Sequence, residues 1–391
     1  MKLWDAIVIG AGPAGCAAAY DLAEAGREVL LLDRAEFPRQ KACAGGLTTK
    51  TLHALRYPVD PVVRQRLSQL RIERDAHHST VLKRRADYCF MTVRQELDEY
   101  CFRQTLAAGA HFQRIRSISA IDESADRVEI RIAPFNDGGD GDPHGQTLRA
   151  RYLIGADGVH SQVRQLTGTG DGWFWRAFAL EANVKVANAS SEELVFDFAP
   201  VRDGYGWIFP KGDHVNIGLY SYARDEKIDR ARLAAYVRAR YGNAPAEDVI
   251  GQYAGFGAAQ HTIPATRVFL VGDAGGFADP LTGEGIYYAI VSGQAAAEAI
   301  ETAWQRSVPA HIAFQKATEK LRDDLGLSTS GARWFYMHLD QGYRYLSMPL
   351  LKGMALRAFA EGVNLSKLAS RVRKLKMVTS GPQSSRSSLL N

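Results

Sequence analysis

Two short apolar runs enclose a helix-forming stretch near the start of the chain. Residues 6–9 and 29–32 are continuous apolar runs of the length that buried parallel strands have. Between them, residues 14–25 are rich in alanine and end at Gly26, which predicts a helix that a glycine terminates. A strand, a helix and a second strand form a βαβ unit, so the chain is expected to open with an α/β domain.

Further apolar periodicities extend this domain. They predict helices over residues 93–107 and 285–299, and strands over residues 128–132, 149–154 and 268–271. Residues 34–50 are irregular and too long for a plain connection. The polar, glycine-bearing residues 136–146 are interpreted as the tip of a long hairpin.

A different pattern interrupts the α/β pattern in the middle of the chain. Short segments there alternate polar and apolar positions between turn residues, at 178–186, 193–198, 206–209 and 215–220. This alternation is typical of an antiparallel sheet. The sequence therefore predicts a discontinuous first domain (residues 1–75, 91–170 and 265–305) with an inserted antiparallel-sheet domain (76–90 and 171–264).

The chain after Pro309 is predicted to be mostly helical. A helical C-terminal region is assigned to residues 306–378, and the serine-rich residues 379–391 are expected to be a disordered tail. Lysines and arginines in residues 367–376 could rest on an anionic membrane or form a solvated helix face.

Composition and charge exclude several classes of protein. The 391 residues are 46% hydrophobic and 23% charged, which is typical of a globular protein. A net charge of +5 on a chain of this length does not indicate nucleic-acid binding. Four cysteines in no paired spacing favour a reducing compartment, and no apolar run approaches the ~20 residues that span a bilayer. A cytoplasmic protein is expected, and the adjacent His77 and His78 do not predict a metal site.

The sequence Gly10-Ala-Gly12-Pro-Ala-Gly15 lies between the first predicted strand and the first helix. Gly10 permits the tight turn, Gly12 lets a pyrophosphate approach the backbone, and Gly15 allows close packing of the helix on the strand. Asp33, at the end of the second strand, is suited to ribose hydroxyls. This combination predicts a site for a dinucleotide at the start of the helix.

Two later segments carry a resemblance to a known family. Gly272-Asp273-Ala-Gly275 is followed by Pro280-Leu-Thr-Gly283-Glu-Gly285, and Asp157-Gly158 follows an earlier strand. Together with the first glycine motif, these sequences resemble the hydroxylase-type flavoproteins that use FAD. Within them, Phe37-Pro-Arg-Gln-Lys-Ala-Cys-Ala-Gly-Gly46 and Tyr205-Gly-Trp-Ile-Phe-Pro210 are similar to motifs of the geranylgeranyl reductase group.

The resemblance implies an α/β fold in which the first domain is a Rossmann-like FAD-binding domain and the inserted sheet belongs to a substrate domain. It implies that Asp273 binds the ribityl chain and that residues 280–285 lie at the pyrimidine edge of the flavin. Asp157 would contact FAD and a passing nicotinamide cofactor. The full set of FAD-binding positions that we predict is Gly10, Gly12, Ala14, Gly15, Asp33, Arg34, Lys41, Cys43, Ala44, Arg94, Asp157, Asp273, Gly283, Gly285 and Ile286.

The resemblance also implies three candidate catalytic residues. Cys43 would lie near the isoalloxazine ring, and Tyr205 and Trp207 would line the substrate cavity. Each has a structural alternative, since Cys43 could be a small residue in a packed loop. Tyr205 and Trp207 alternate on a strand and face one side of the sheet, which core packing would explain as well.

The chemistry expected of such a protein follows from FAD. A second GxGxxG unit is absent, so NADPH or NADH would act as a transient reductant beside the flavin. The group's motifs favour reduction of a carbon–carbon double bond in an isoprenoid or other apolar substrate. A monooxygenase that acts on an apolar or aromatic substrate is the alternative, and an electron-transfer subunit is a second alternative.

Overall fold

The computed structural model describes residues 2–135, 145–169, 172–223, 225–261 and 266–362. The strands, in chain order, are β1 (Leu3–Ile9), β2 (Val29–Asp33), β3 (Gly46–Thr48), β4 (Gln65–Leu67), β5 (Gln69–Asp75), β6 (His78–Lys83), β7 (Cys89–Met91), β8 (His111–Glu123), β9 (Val128–Pro134), β10 (Gln146–Gly155), β11 (Trp175–Val184), β12 (Leu194–Asp197), β13 (Gly204–Pro210), β14 (Val215–Ser221), β15 (Ala246–Phe256) and β16 (Val268–Leu270). The helices are α1 (Pro13–Glu24), α2 (Thr49–Ala54), α3 (Arg94–Ala107), α4 (Gln162–Leu166), α5 (Arg230–Tyr241), α6 (Ile286–Arg306), α7 (Ala310–Met337), α8 (Leu339–Ser347) and α9 (Pro349–Glu361).

The first sheet has a parallel centre that confirms the predicted βαβ unit. β1 lies between β2 and β10, β8 begins beside β2, and β16 lies beside β10. Residues 6–9 of β1 are buried because helices cover one face of the sheet and a second layer covers the other. β9 and β10 pair antiparallel, and the predicted hairpin tip between them lies largely outside the described residues.

Small residues bring α1 and α6 into close contact on one face of this sheet. A Cβ atom at Gly293 of α6 would lie 2.2 Å from the backbone oxygen of Ala14, so this crossing requires glycine. Alanines on both helices fill the rest of the contact. The two helices therefore begin at the same edge of the sheet, where β1, β10 and β16 end.

The second sheet is the predicted inserted sheet, and it is larger than expected. Its strand order is β15-β11-β14-β13-β12-β5-β6, and all of its pairings are antiparallel except that of β12 with β5. The sequence assigns residues 69–75 to the first domain, but they form β5 of this sheet. Leu70 and Ile72 are its only buried apolar side chains, so the strand has a weak hydrophobic pattern.

Several other elements of the described structure have no counterpart in the predictions, and three of them share a weak apolar pattern. β8, α5 and β15 are rich in charged and polar residues, and each buries few apolar side chains. In α5 these are Leu233, Tyr236 and Val237, which pack on the outer face of the second sheet. Elements that cover a sheet in this way have a short apolar stripe, which a pass along the sequence overlooks.

The helical C-terminal region follows the prediction as far as Gly362. Leu356 and Ala360 of α9 are buried against the inner face of the second sheet, beside Tyr88 and Phe196. The basic residues 367–376 and the serine-rich tail lie outside the described residues. Within the described part of the chain, none of the helices combines the length and the apolar character that crossing a bilayer requires.

Candidate active site

A cavity of about 520 Å³ separates the first sheet from the inner face of the second. This volume is typical of sites for small molecules and cofactors. Every predicted site residue except Gly15 lines it: Gly10, Gly12, Ala14, Asp33, Arg34, Lys41, Cys43, Ala44, Arg94, Asp157, Tyr205, Trp207, Asp273, Gly283, Gly285 and Ile286. One cavity therefore joins the end of the parallel sheet to the aromatic residues of the second sheet.

Glycines form the backbone turn at the first end of the cavity. Gly10 has φ +103°, and a Cβ atom there would lie 2.3 Å from the backbone oxygen of Ala156. A Cβ atom at Gly15 would lie 1.7 Å from the backbone oxygen of Gly10. The first turn of α1 can therefore pack this closely against the glycine turn only with glycine at position 15. Gly12 begins α1 without a side-chain cap, which leaves the first turn of the helix open to an anionic ligand.

Asp33 fixes the position of this turn. One carboxylate oxygen accepts a hydrogen bond from the amide of Ala11 at 2.6 Å, and the other accepts one from the amide of Ala35 at 2.7 Å. A carboxylate has further acceptor sites, so these bonds are compatible with the predicted ribose contact. Gln40 and Arg34 are exposed beside it, and the backbone oxygen of Arg34 accepts a bond from Arg114 at 3.2 Å.

Asp157 carries a buried oxygen that has no hydrogen-bond partner among the described residues. Its Oδ2 accepts bonds from the amides of Gln162 at 2.7 Å and Val163 at 3.2 Å, while its Oδ1 has none. Burial raises the pKa of Asp157. A buried acceptor without a partner on a cavity wall is suited to a ligand that brings its own donor.

Asp273 and the start of α6 form a further part of the wall. Asp273 follows β16 and accepts a bond from the amide of Gly255 at 3.3 Å, and burial raises the pKa of its carboxyl group. Gly285 begins α6 without a side-chain cap, as Gly12 does for α1. Two open helix starts and a buried acceptor are a donor and acceptor set that fits a dinucleotide with its diphosphate and sugar hydroxyls.

A buried ion pair forms part of the cavity wall. Arg94 forms two bonds with Asp98, at 2.8 and 2.9 Å, and Arg39 approaches the same carboxylate at 3.0 Å. Lys41 donates to the side chain of Gln252 at 2.7 Å, and burial lowers the pKa of Lys41. Arg39, Lys41 and Arg94 thus place positive charge on the wall of the cavity.

The loop over residues 42–46 is held by two ionisable side chains that sequence reasoning missed. Glu181 of β11 accepts a bond from the amide of Cys43 at 2.9 Å. Lys211 donates to the backbone oxygens of Ala44 and, at 3.0 Å, Thr92, and burial lowers its pKa to about 8. The sequence contains a feature that could have pointed to each of them. Glu181 is a charged residue within an apolar strand, and Lys211 directly follows the Tyr-x-Trp-x-Phe-Pro motif.

Aromatic side chains form the second end of the cavity. Tyr205 and Trp207 lie on the same side of β13, as predicted, and with Phe196, Phe209, Tyr220 and Phe359 they line this end, which we call the aromatic chamber. Trp207 donates its indole N–H to Asn216 at 2.8 Å, and Tyr205 donates its hydroxyl to the backbone oxygen of Thr282. Both polar groups are thus bonded within the protein, and the catalytic roles of Tyr205, Trp207 and Cys43 stay predictions.

The sequence matches the family model described as "FAD binding domain" over residues 4–302. The chain belongs to this FAD-binding family. The match includes the glycine turn, Asp33, Asp157 and Asp273, which the structure brings to one cavity. FAD is accordingly the cofactor of this family, and the donors and acceptors of the cavity fit it.

Three relatives show which branch of the family is similar. The chain is 30% identical over 376 residues to an uncharacterised protein of Methanosarcina barkeri, with 95% of this chain and 94% of that protein covered. It is 30% identical to the chloroplastic geranylgeranyl diphosphate reductase of Arabidopsis thaliana, over 75% of this chain and 64% of the plant protein. It is also 30% identical to the menaquinone reductase of Mycolicibacterium smegmatis, over 75% of each chain. The protein is therefore an FAD-dependent oxidoreductase of the geranylgeranyl reductase/menaquinone reductase type.

Solved structures share the fold. A geranylgeranyl bacteriochlorophyll reductase-like protein of Thermoplasma acidophilum superposes with a TM-score of 0.77 at 20% identity, over 95% of this chain and 99% of that one. A flavin-dependent brominase superposes with a TM-score of 0.72 at 17% identity, over 95% and 100%. The same fold thus carries different chemistries, and the fold alone does not select one.

Proposed function

We propose that this protein reduces carbon–carbon double bonds in the isoprenoid chain of an apolar substrate, with FAD as its hydride source. The observation that carries the proposal is the continuity of one cavity from the FAD-binding turn to the aromatic chamber. Reduced FAD, when bound, supplies two electrons and a hydrogen to a carbon that lies beside it. The chain's own part is to hold the substrate there and to keep water away.

The walls of the chamber favour an apolar chain. Phe196, Tyr205, Trp207 and Phe209 come from neighbouring strands, and Phe359 of α9 closes the chamber on the side facing away from the sheet. Because the polar groups of Tyr205 and Trp207 already have partners, these residues present ring faces to a ligand. Ring faces attract positive charge, which would develop on an alkene as it gains a proton.

The names of the relatives support this substrate class. Geranylgeranyl diphosphate and menaquinone, which name two of the relatives, both contain an isoprenoid chain. They differ in the group attached to that chain. The features that they share are the apolar chain and its double bonds, which the aromatic chamber is suited to bind.

NADPH or NADH is the reductant that we propose for the flavin. Lys41 lines the same cavity as Asp157, and it forms no ion pair with a carboxylate among the described residues. Cations without a paired carboxylate are suited to the phosphates of a cofactor that binds and leaves. Substrate and reductant would then reach the flavin from different ends of the cavity.

Product mass tests the proposal. The protein, with its FAD reduced chemically, is offered polyprenyl and aromatic compounds with and without air. A gain of two hydrogens per double bond in the absence of air is expected. A gain of one oxygen that occurs only in air would overturn the proposal in favour of a monooxygenase. No product in either condition, together with rapid reduction or reoxidation by a partner protein, would indicate electron transfer.

A cofactor control makes the result specific. The Gly10→Ala variant carries a Cβ atom that would collide with the backbone of Ala156, so it should lose FAD. It should form no product under any of the conditions. Product in this variant would show that the reduction takes place without the flavin.

A further inference from the structure

The proposed reduction requires a proton as well as a hydride, and a carboxylic acid on the cavity wall could supply it. The carboxyl groups that line the cavity among the described residues are those of Asp33, Asp157, Glu181, Asp273 and Glu284. Asp33, Asp157 and Asp273 lie at the ends of the parallel strands, on the side that holds the dinucleotide. Glu284 forms an ion pair with Lys50 at 2.6 Å and accepts a bond from Thr48 at 3.1 Å.

Glu181 is the carboxyl group that the second sheet presents to the cavity. It lies directly opposite Gly218 in the pairing of β11 with β14, and Gly218 lies opposite Trp207 in the pairing of β14 with β13. A Cβ atom at Gly218 would lie 2.1 Å from the indole ring of Trp207. The indole therefore extends across the glycine towards Glu181. This carboxyl group thus lies where the aromatic chamber meets the loop over residues 42–46.

We propose that Glu181 is the acid that protonates the substrate, an inference that rests on the proposed function. In this step one alkene carbon receives hydride from the reduced flavin, and the other receives the proton of Glu181. The carbon–carbon π bond is broken, two C–H bonds form, the flavin is oxidised, and Glu181 is left as a carboxylate. The carboxylate then regains a proton from water.

The surroundings of Glu181 are suited to both of its protonation states. The side chain is buried, and it forms no ion pair within the described residues, so burial raises its pKa and favours the acid before the reaction. After the reaction, the amide of Cys43 at 2.9 Å, Asn216 of β14, the buried Lys211 and Arg94 of α3 face the carboxylate and stabilise it. A group whose acid and carboxylate forms are both stabilised by the site can donate a proton and regain it in each catalytic cycle.

Anaerobic single-turnover kinetics test this role. The reduced enzyme is mixed with an isoprenoid that it converts, and flavin reoxidation is followed by absorbance at a series of pH values. Glu181→Gln keeps an oxygen that can accept the Cys43 amide but cannot donate this proton, so reoxidation should slow by about 100-fold or more. The rate of the wild-type protein should fall as pH rises through the raised pKa of Glu181, and the glutamine variant should lack this fall. Glu181→Asp should restore the pH dependence with an intermediate rate.

Three controls separate proton donation from a structural role. Ferricyanide accepts electrons without protonation of carbon, so it should reoxidise the flavin of Glu181→Gln as fast as that of the wild type. Glu247→Gln removes an exposed carboxylate from the neighbouring β15 and should behave as the wild type does. Infrared spectroscopy should detect a protonated carboxylic acid in the wild type and in Cys43→Ala, and its band should be absent from Glu181→Gln.

Several results would overturn the proposal. One is a glutamine variant that keeps the rate and the pH dependence, and another is equal slowing of its reactions with isoprenoid and ferricyanide. Loss of the pH dependence in Cys43→Ala would assign the proton to the thiol instead. A wild-type protein that reduces no isoprenoid would overturn the proposed function itself, which the first step of the same experiment reveals.

Discussion

The two ends of the cavity are constructed in different ways. At the dinucleotide end, the geometry is set by the backbone of residues 10–15 and by one carboxylate, Asp33, that binds backbone amides. At the aromatic end, side chains from β12, β13, β14 and α9 meet across large separations in the chain. Backbone geometry tolerates almost no substitution, whereas a wall of side chains can change gradually. We therefore expect mutations at the first end to remove FAD and those at the second to alter rates or stability.

Gly10→Ala should have the largest effect. The new Cβ atom would lie 2.3 Å from the backbone oxygen of Ala156, at a φ of +103° that side chains disfavour, so the turn must shift. We expect FAD affinity to fall at least about 100-fold, equivalent to about 3 kcal/mol. Titration of the apoprotein with FAD, followed by flavin fluorescence, measures this.

Gly26→Ala is the matched control for this glycine. Gly26 also has a positive φ, +77°, but an added Cβ atom there would meet nothing within 4 Å. The Gly26→Ala substitution should lower the free energy of unfolding by about 1 kcal/mol and leave FAD affinity unchanged. Equal loss of FAD in both variants would show that backbone strain in general, rather than the contact with Ala156, controls binding.

The dinucleotide end was predictable because its signals are local in the sequence. Strand, glycine turn, helix and acid follow one another within residues 6–33, and each has a physical reason that a single segment contains. Asp157 and Asp273 needed the family resemblance, since β10 and β16 bring them together from distant parts of the chain. The close contact of α1 with α6 brings the starts of both helices to the same edge of the first sheet. The small residues of the two helices were the only feature of the sequence that indicated this contact.

Asp33→Ala should have the next largest effect. It removes two charge-assisted bonds, to the amides of Ala11 and Ala35, and with them the carboxylate that faces the cavity. A bond to a charged group contributes about 1.5–3 kcal/mol, and we expect the loss of one such contribution from the FAD-bound turn to lower FAD affinity by about 10- to 100-fold. Asp75→Ala is the control, because Asp75 also accepts bonds from two amides, at 2.9 and 3.0 Å, in an exposed turn away from the cavity. An equal loss of FAD affinity in the control would contradict a local role for Asp33.

Lys211→Met tests the junction between the two ends of the cavity, where Lys211 binds the backbone of Ala44 and Thr92. Lys211 has a folded-state pKa of about 8, below the ~10.4 of an unfolded chain, so the unfolded state holds more protons between these values. The free energy of unfolding of the wild type should therefore rise with pH in this window, by at most about 1.4 kcal/mol per pH unit. The variant should lack this rise in urea unfolding at a series of pH values. Lys185→Met removes an exposed lysine beyond β11 and should follow the wild-type curve.

The junction and the aromatic end could be predicted only in part. Tyr205 and Trp207 were found because one motif contains both, and their shared face follows from strand alternation. Glu181, Lys211 and Phe359 were missed, since their places depend on which strands pair and on where α9 packs. β5, β8 and β15 were missed for the same reason: partners that are distant in sequence, rather than a strong apolar pattern, stabilise these strands.

Tyr205→Phe should have the smallest effect, and it decides what the hydroxyl does. Burial raises the pKa of Tyr205, so the hydroxyl stays protonated and donates to the backbone oxygen of Thr282. Loss of this bond should cost about 1 kcal/mol in thermal unfolding and change the rate of flavin reoxidation by less than about 3-fold. Tyr336 donates in the same way to Leu281 at 2.8 Å, yet it does not line the cavity, so Tyr336→Phe should match this loss of stability. If only Tyr205→Phe slowed reoxidation by 100-fold, the hydroxyl would take part in the chemistry, and the aromatic end would depend on one polar atom rather than on its ring faces.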